Sequence, residues 1–257
     1  MKMKSNELKN KKNKSYFSAY NILLIIIGLL CFSAILAPIL MALGLEGPAK
    51  YIYFIYSFFC HQIHYRSLHV FEHQFAWCTR DTFIWFGMLF TGISLKYIHF
   101  KGLKWYQIIL FVLPIGMDGG IQLFATLAGV TGNNEGIFYA STNFTRMLTG
   151  SLLGIGVGLW VFPTIRDMDG EKIVSKFKTG LIKTIFIILS FLFLLYLSFL
   201  GLWYITSTEY RPLNVIDHSN RFPEDKDEWF IRRQNGTCPV DARDGTFFDL
   251  NCESNQK

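Results

Sequence analysis

The stretch ILLIIIGLLCFSAILAPILMALGL, residues 22–45, contains no charged side chain. The hydrocarbon core of a bilayer is about 30 Å thick, and a helix needs roughly 20 mostly apolar residues to cross it. This stretch is longer than the apolar core of a secretory signal, and more apolar sequence follows it, so we interpret it as a membrane span. The chain is therefore expected to be an integral membrane protein.

Four further apolar blocks approach or reach the length of a span: residues 82–98, 105–128, 145–163 and 184–205. Each is expected to be helical, because a lipid-exposed strand with open edges could not satisfy its backbone groups. The blocks predict an all-α, polytopic transmembrane bundle of five spans over residues 21–205. A basic segment, 1–20, precedes the bundle and a polar tail, 206–257, follows it.

One apolar block is too short to span. Residues 51–59 are apolar and aromatic, and they follow Gly47-Pro48, a pair that commonly breaks helices. We expect a re-entrant or interfacial segment here. The alternative is an extra span, which would invert the topology of everything after it.

The basic residues predict which way the protein sits in the membrane. Cytoplasmic loops are enriched in lysine and arginine, and six lysines fall in the first fourteen residues. Further basic residues follow the second and fourth blocks, whereas residues 127–145 contain none. We therefore expect a multi-pass protein of the cell membrane with a cytoplasmic N-terminus and an extracytoplasmic tail.

The net charge of +6 has a local explanation in this topology. A lysine-rich leader at the cytoplasmic surface would lie against anionic lipid headgroups. Nucleic-acid binding would require a basic fold with base-reading or stacking elements, and none is visible in the sequence. The lipid bilayer is thus the partner that the composition indicates, and nucleic acid is not expected.

Four of the five cysteines lie on the predicted outer side, where disulfides persist. Cys238 and Cys252 bracket a short turn-rich loop and are predicted to form a local disulfide. Cys60 and Cys78 leave three possibilities open: a disulfide, ligands of a metal ion, or free thiols engaged in redox exchange. The fifth, Cys31, lies inside the first span as a small buried residue.

Histidines surround Cys60 and Cys78. Four of the six histidines fall within residues 61–73, and cysteine and histidine are the usual ligands of zinc. The spacing matches no closed zinc signature, so the disulfide remains a rival interpretation. The candidate ligands for a divalent metal such as zinc are Cys60, His61, His64 and Cys78.

Asp118 interrupts the third block. A carboxylate within the membrane costs ~2.5 kcal/mol or more unless it faces protein or water and has a partner. Arg146, at the outer start of the fourth block, is the candidate partner. The glycines beside the carboxylate are expected to permit close helix approach; they are Gly116, Gly119 and Gly120. A purely structural ion pair between two helices is the alternative to a functional role.

Several polar residues fall at one predicted depth near the outer face: Arg80, Asp81, Asp118, Gln122, Asn143 and Arg146. Together with the Cys/His segment they resemble the domain of unknown function 2085 family of predicted membrane proteins over about residues 55–155. The resemblance rests on Cys60-His61-Gln62, Arg66-Ser67, Gln74, Cys78-x-Arg80-Asp81, Pro114, Asp118-Gly119, Gln122, Asn143-x-x-Arg146 and Thr149-Gly150. Where many members have a second cysteine after the arginine, this chain has Asp81. The resemblance implies no established activity.

The functional hypothesis is an enzyme-like site at the extracytoplasmic interface that acts on a lipid headgroup or polyprenyl phosphate. Arginines suit phosphate, and carboxylates and histidine suit acid–base or ligand roles. The candidate catalytic residues are Asp118, Arg146, Arg80, Asp81 and His61, and the candidate binding residues are Arg66, Gln62, Gln122 and Asn143. Three alternatives remain open: a transporter of a small solute or ion that uses Asp118, a non-catalytic accessory subunit, and a thiol redox protein that uses Cys60 and Cys78.

Overall fold

In a computed structural model, the described residues are 18–60, 62, 66–98, 100–127, 141–169 and 180–207. Their elements in chain order are α1 (Ala19–Ala42), α2 (Glu46–Ser57), β1 (Ser67–Val70), β2 (His73–Cys78), α3 (Thr79–Leu95), a 3-10 turn (Trp105–Ile108), α4 (Ile109–Leu127), α5 (Asn143–Asp169) and α6 (Leu181–Thr206).

The apolar blocks of the sequence form the long helices. Three helices within the described ranges are long and apolar enough to cross a membrane: α1, α5 and α6. α3 and α4 have 17 and 19 residues and extend about 26 Å and 29 Å at 1.5 Å per residue. The prediction of a mostly helical chain with several helices able to span a membrane is therefore confirmed. The count of five spans stays a prediction, and the tail from residue 208 onward lies outside the described residues.

α5 continues past Pro163, where the sequence predicted the end of the fourth span. Proline lacks an N–H, so the carbonyl of Leu159, four residues earlier, loses its helical donor. The Leu103 N–H, from the segment after α3, donates to this carbonyl at 3.2 Å. Another segment therefore supplies the hydrogen bond that the proline removes from the helix.

α3 and α5 pack backbone against backbone. A Cβ atom on Gly154 would lie 2.1 Å from the Ile84 carbonyl oxygen, and one on Gly150 would lie 2.5 Å from the Arg80 carbonyl oxygen. Gly158, one turn further along α5, leaves room for the Thr91 side chain of α3, whose Cβ would lie 2.8 Å from an added Cβ atom. Glycine at every fourth position gives α5 a flat face on which α3 lies directly.

The glycines near Asp118 do not perform this role, so that expectation is wrong. A Cβ atom on Gly116 or Gly120 would meet nothing within 4 Å, and one on Gly119 would lie 3.3 Å from Nη1 of Arg80. Gly116 and Gly120 face no described neighbour, and Gly119 meets the Arg80 side chain instead of the backbone of another helix.

The two ends of the bundle are closed by different contacts. At one, the loop end, Arg166 of α5 donates to the carbonyls of Leu95 and Phe100 at 3.4 Å and 2.8 Å. The Tyr20 N–H of α1 donates to the Asp169 carboxylate at 3.4 Å at the same end. At the other, the hairpin end, β1 and β2 pack among α1, α3 and α6.

The hairpin tip rests on the end of α6. Phe71 and Glu72 have φ values of 53° and 67°, which is the left-handed pattern of a tight two-residue hairpin turn. The Phe71 N–H donates to Oγ1 of Thr206 at 3.0 Å, and the Glu72 N–H donates to Oγ of Ser207 at 3.2 Å. The last turn of α6 therefore holds both strained turn residues in place.

This hairpin corrects the all-α expectation for residues 67–78. β1 and β2 are antiparallel, with His69 opposite Gln74 and Val70 opposite His73, and all four residues of β1 are buried. The hairpin packs against protein, and side chains of Tyr53 and Gln62 donate to the carbonyls of Gln74 and Ala76 on β2; backbone groups satisfied in this way do not need to be helical. The rule that excludes strands from the membrane applies to lipid-exposed strands, and this hairpin is covered by protein.

α2 corresponds to the short apolar block. Its 12 residues extend about 18 Å, less than the thickness of the hydrocarbon core. Gly47 and Pro48 lie inside its first turn instead of breaking it, because a proline there gives up no intrahelical hydrogen bond. Whether α2 is re-entrant or interfacial stays a prediction.

Candidate functional site

Cys60, Cys78 and Asp81 form a compact group at the hairpin end. One ligand atom from each, two sulfurs and a carboxylate oxygen, lies within 4.8 Å of the others. The Cys78 N–H donates to the Cys60 sulfur at 3.1 Å, and the Cys78 thiol donates to Oδ2 of Asp81 at 3.2 Å. Cys60 is buried whereas Cys78 and Asp81 are partly exposed, so the group is accessible from one side.

Local structure explains why these three residues meet. The Cys60 N–H donates to the Tyr56 carbonyl at 3.0 Å and so continues the last turn of α2. Cys78 is both the last residue of β2 and the extended N-cap residue of α3. Asp81 lies in the first turn of α3, where the helix dipole favours a carboxylate. The group therefore forms where α2, β2 and α3 meet.

Both cysteines are free thiols, as is Cys31 in α1. The Cys60–Cys78 disulfide, one of the possibilities left open by the sequence, is not formed. The pKa of the Cys60 thiol is raised, first by its hydrogen bond with Cys78 and then by burial. The predicted Cys238–Cys252 disulfide lies outside the described residues.

The histidines of this segment divide into two pairs. His61 and His64, predicted as metal ligands, lie outside the described residues. His69 is buried, and its ring lies 4.6 Å from the Trp203 ring of α6. His73 is half-buried, and burial lowers its pKa. Of the predicted ligands, the structure brings Cys60 and Cys78 together and adds Asp81, which the sequence had suggested as a catalytic residue.

Asp118 is buried in α4 and forms an ion pair with Arg80 of α3. Ser141, which lies just before α5, donates to the same carboxylate oxygen at 2.8 Å. The sequence had favoured Arg146 as the partner of Asp118. The ion pair goes to Arg80 because the first turn of α3 faces α4, a rotation that spacing along the chain cannot fix.

Arg146 and Asn143 form a neighbouring polar group at the start of α5. Arg146 is 2% exposed, and its Nη1 donates to Oδ1 of Asn143 at 3.3 Å. The Thr79 hydroxyl donates to the same Oδ1 at 3.2 Å. Sequence reasoning missed Thr79 and Ser141, although short polar residues beside helix starts commonly make such contacts.

Gln62, Arg66 and Gln122 were predicted to bind substrate. Gln62 is wholly buried, and its amide nitrogen donates to two backbone carbonyls. Arg66 lies directly before β1 and is partly buried, and Gln122 lies on α4 one turn beyond Asp118, with its side chain outside the described part. A binding role for these residues remains a prediction.

The first turn of α3 contributes to all three polar groups: the thiol group, the Asp118 ion pair and the Arg146–Asn143 group. Its consecutive residues Thr79, Arg80 and Asp81 point about 100° apart and reach Asn143, Asp118 and Cys78 respectively. One helix start thus links the thiols of the hairpin end to α4 and α5. The arrangement offers two soft sulfur ligands and a carboxylate, and the adjacent residue of the same helical turn carries a guanidinium group that Asp118 holds in place.

Comparison with known proteins identifies relatives of this region. The family described as Predicted membrane protein (DUF2085) matches residues 60–160, which include the three groups around the start of α3. An uncharacterized protein of Methanocaldococcus jannaschii is 34% identical over 168 residues, which cover 61% of this chain and 97% of that relative. No solved structure matches the chain.

Proposed function

We propose that this chain, which belongs to the DUF2085 family of predicted membrane proteins, holds a divalent metal ion on Cys60, Cys78 and Asp81. Zinc is the preferred ion. The metal centre would act on a phosphorylated lipid headgroup, such as that of a polyprenyl phosphate, at the extracytoplasmic interface. The observation that carries the proposal is the three ligand atoms within 4.8 Å of one another.

The ligand set suits zinc better than harder cations. Thiolates select soft or borderline metals, whereas magnesium and calcium prefer oxygen ligands throughout. Zinc binds sulfur at about 2.3 Å and carboxylate oxygen at about 2.0–2.2 Å, so small inward shifts of three side chains would complete the contacts. Catalytic zinc sites commonly use three protein ligands and leave a fourth position for water or substrate.

Arg80 would orient a phosphate at this centre. It follows Cys78 by two residues and directly precedes Asp81, and its side chain is 22% exposed. Asp118 holds one end of the guanidinium group, while Nε has no hydrogen-bond partner among the described residues. Charge-assisted hydrogen bonds from arginine are well suited to phosphate oxygens. A bound zinc ion would supply Lewis acidity for the phosphoryl group or a more acidic bound water.

The proposed topology has five spans, with the loop end in the cytoplasm and the hairpin end outside. Contacts at the two ends support it, since α1 and α5 meet through Tyr20 and Asp169 at the loop end. The end of α6 meets the hairpin through Thr206 at the opposite end. Lys96, at the end of α3, lies 5.9 Å from the Tyr20 ring, on the side that the basic residues assign to the cytoplasm.

Metal binding can be tested on the purified protein in detergent. We expect one zinc ion per chain after reconstitution, and loss of that ion in Cys60→Ser, Cys78→Ser and Asp81→Asn. Cys31→Ser is the matched control, because Cys31 is a buried thiol of α1 outside the group. Equal zinc content in all four variants would contradict the proposal.

The lipid step has its own test. Binding of a short polyprenyl phosphate to the zinc-loaded protein should exceed binding of the matching alcohol, and Arg80→Gln should remove that preference. The control Arg166→Gln changes a buried arginine at the loop end, which should leave the preference intact. If phosphate and alcohol bind equally to the unmodified protein, the metal site has some other substrate.

A further inference from the structure

Gln62 joins the chain segments that carry the two cysteines. Its side-chain nitrogen donates to the Tyr53 carbonyl of α2 at 2.8 Å and to the Ala76 carbonyl of β2 at 2.9 Å. Gln62 follows Cys60 by two residues, and Ala76 precedes Cys78 by two residues. One amide therefore links the backbone on both sides of the thiol group.

Gln74 closes the same connection from the strand side. Its side-chain nitrogen donates to the Gln62 backbone carbonyl at 3.0 Å, and the Tyr53 hydroxyl donates to the Gln74 backbone carbonyl. Gln62 and Gln74 are both buried. Gln62 also adopts a φ of 49°, a left-handed conformation that L residues rarely take. Gln62 is thus held in one specific backbone conformation by contacts with α2 and β2.

We infer that Gln62 and Gln74 are positioning residues whose side-chain amides set the separation of the Cys60 and Cys78 sulfurs. The inference rests on the proposed metal site, for which a fixed sulfur separation is a requirement of tetrahedral coordination. Residues that hold the metal ligands in place, without binding the metal themselves, commonly have a large effect on metal affinity.

The side-chain oxygens of Gln62 and Gln74 favour a positioning role over a simple packing role. Oε1 of Gln62 and Oε1 of Gln74 are buried without a hydrogen-bond partner among the described residues. A buried, unsatisfied acceptor is unfavourable, and an apolar side chain of similar shape would avoid that penalty. Glutamine at these positions serves better to fix two backbone segments than to stabilise the core.

The test uses Gln62→Met, which keeps an unbranched side chain and removes both donors. Gln107→Met is the matched control, because Gln107 lies in the 3-10 turn at the loop end and accepts a hydrogen bond from the Lys104 N–H. Both are made in a chain whose Cys31, Cys238 and Cys252 are alanine. Two readouts are compared at equal folded fraction: the thiolate-to-metal absorption band of added Co²⁺, and the rate at which a bifunctional bimane joins Cys60 to Cys78.

Gln62→Met should lower cobalt affinity by about 10- to 100-fold, the range seen when an outer partner of a metal ligand is removed. It should also slow the bimane reaction, whereas Gln107→Met should change neither. A Gln62→Met protein with unchanged affinity and an unchanged crosslinking rate would overturn the inference.

The crosslinking readout separates this inference from the proposed function. If the unmodified protein shows no cobalt band while Gln62→Met still slows crosslinking, the metal proposal fails and the positioning role stands. If Gln62→Met does not fold, Gln74→Met gives the same comparison, because it removes the hydrogen bond that the Gln74 side chain donates to the Gln62 carbonyl. Crosslinking by Gln74→Met at the unmodified rate would then overturn the inference.

Discussion

Replacing Gly154 by alanine should destabilise the bundle by about 3 kcal/mol, at the upper end of the usual cost of overpacking. The added Cβ atom would lie 2.1 Å from the Ile84 carbonyl oxygen and 3.1 Å from Cα of Gly87. Both are backbone atoms, so no side chain can rotate away. α3 and α5 would have to separate, with loss of packing along the rest of their shared face.

Gly120→Ala is the matched control for this substitution. Gly120 also lies inside a helix, but an added Cβ atom there would meet nothing within 4 Å. Alanine should stabilise that helix by about 0.5–1 kcal/mol, because glycine loses more backbone entropy on folding. The same chemical change is therefore expected to have opposite signs at the two positions.

The assay is equilibrium unfolding in mixed detergent micelles, followed by tryptophan fluorescence. Since α3 carries Asp81 and directly follows Cys78, Gly154→Ala should also weaken metal binding, and Gly120→Ala should not. Equal stabilities of Gly154→Ala and Gly120→Ala would refute the close packing of α3 on α5 and the rigid placement of the site that depends on it.

Three other perturbations test separate contacts by the same unfolding assay. Asp118→Asn should lower the free energy of unfolding by about 2–3 kcal/mol, less than for a fully buried pair because the Arg80 side chain is 22% exposed. Glu46→Gln, in the exposed pair with Lys50, is the control and should lower it by under about 0.5 kcal/mol. Equal losses would contradict a structural role for the Arg80–Asp118 pair. Glu72→Gly should stabilise the hairpin by about 1 kcal/mol, since glycine adopts a φ of 67° without strain, and a loss of stability would argue against this turn. Burial lowers the pKa of His73, so the unfolded chain binds more protons than the folded chain in acid. The contribution of His73 to stability should therefore be complete above pH about 6.5 and decline below it. His73→Gln should flatten that decline, and an unchanged pH profile in this variant would contradict the assignment to His73.

The long helices could be predicted from the sequence because a span is defined by length and composition alone. The block that begins at Ile22 needs no knowledge of its neighbours to be identified as a span. The end of α5 could not be predicted in this way. Pro163 was expected to end the helix, but α5 continues through it, and the Leu159 carbonyl that the proline leaves without a helical donor accepts from the Leu103 N–H of another segment.

Most residues of the site could be predicted from the sequence, but which of them contact one another could not. Cys60 and Cys78 stood out by residue type, and their proximity follows from the hairpin that brings β2 back to α2. The choice of Arg80 over Arg146 as the partner of Asp118 depends on the rotation of α3 about its axis. Ser141 and Gln62 make their contacts with residues that are distant in the chain, and no local sequence pattern predicts those contacts.

X-ray absorption of the zinc-reconstituted protein examines the metal ligands most directly. We predict two sulfur neighbours at about 2.3 Å together with oxygen or nitrogen neighbours at about 2.0–2.2 Å. Cys60→Ser should hold no zinc after the same reconstitution, whereas the control Cys31→Ser should give the spectrum of the unmodified protein. A zinc ion surrounded by oxygen and nitrogen alone, or a sulfur count that is unchanged in Cys60→Ser, would contradict a metal centre built on Cys60, Cys78 and Asp81.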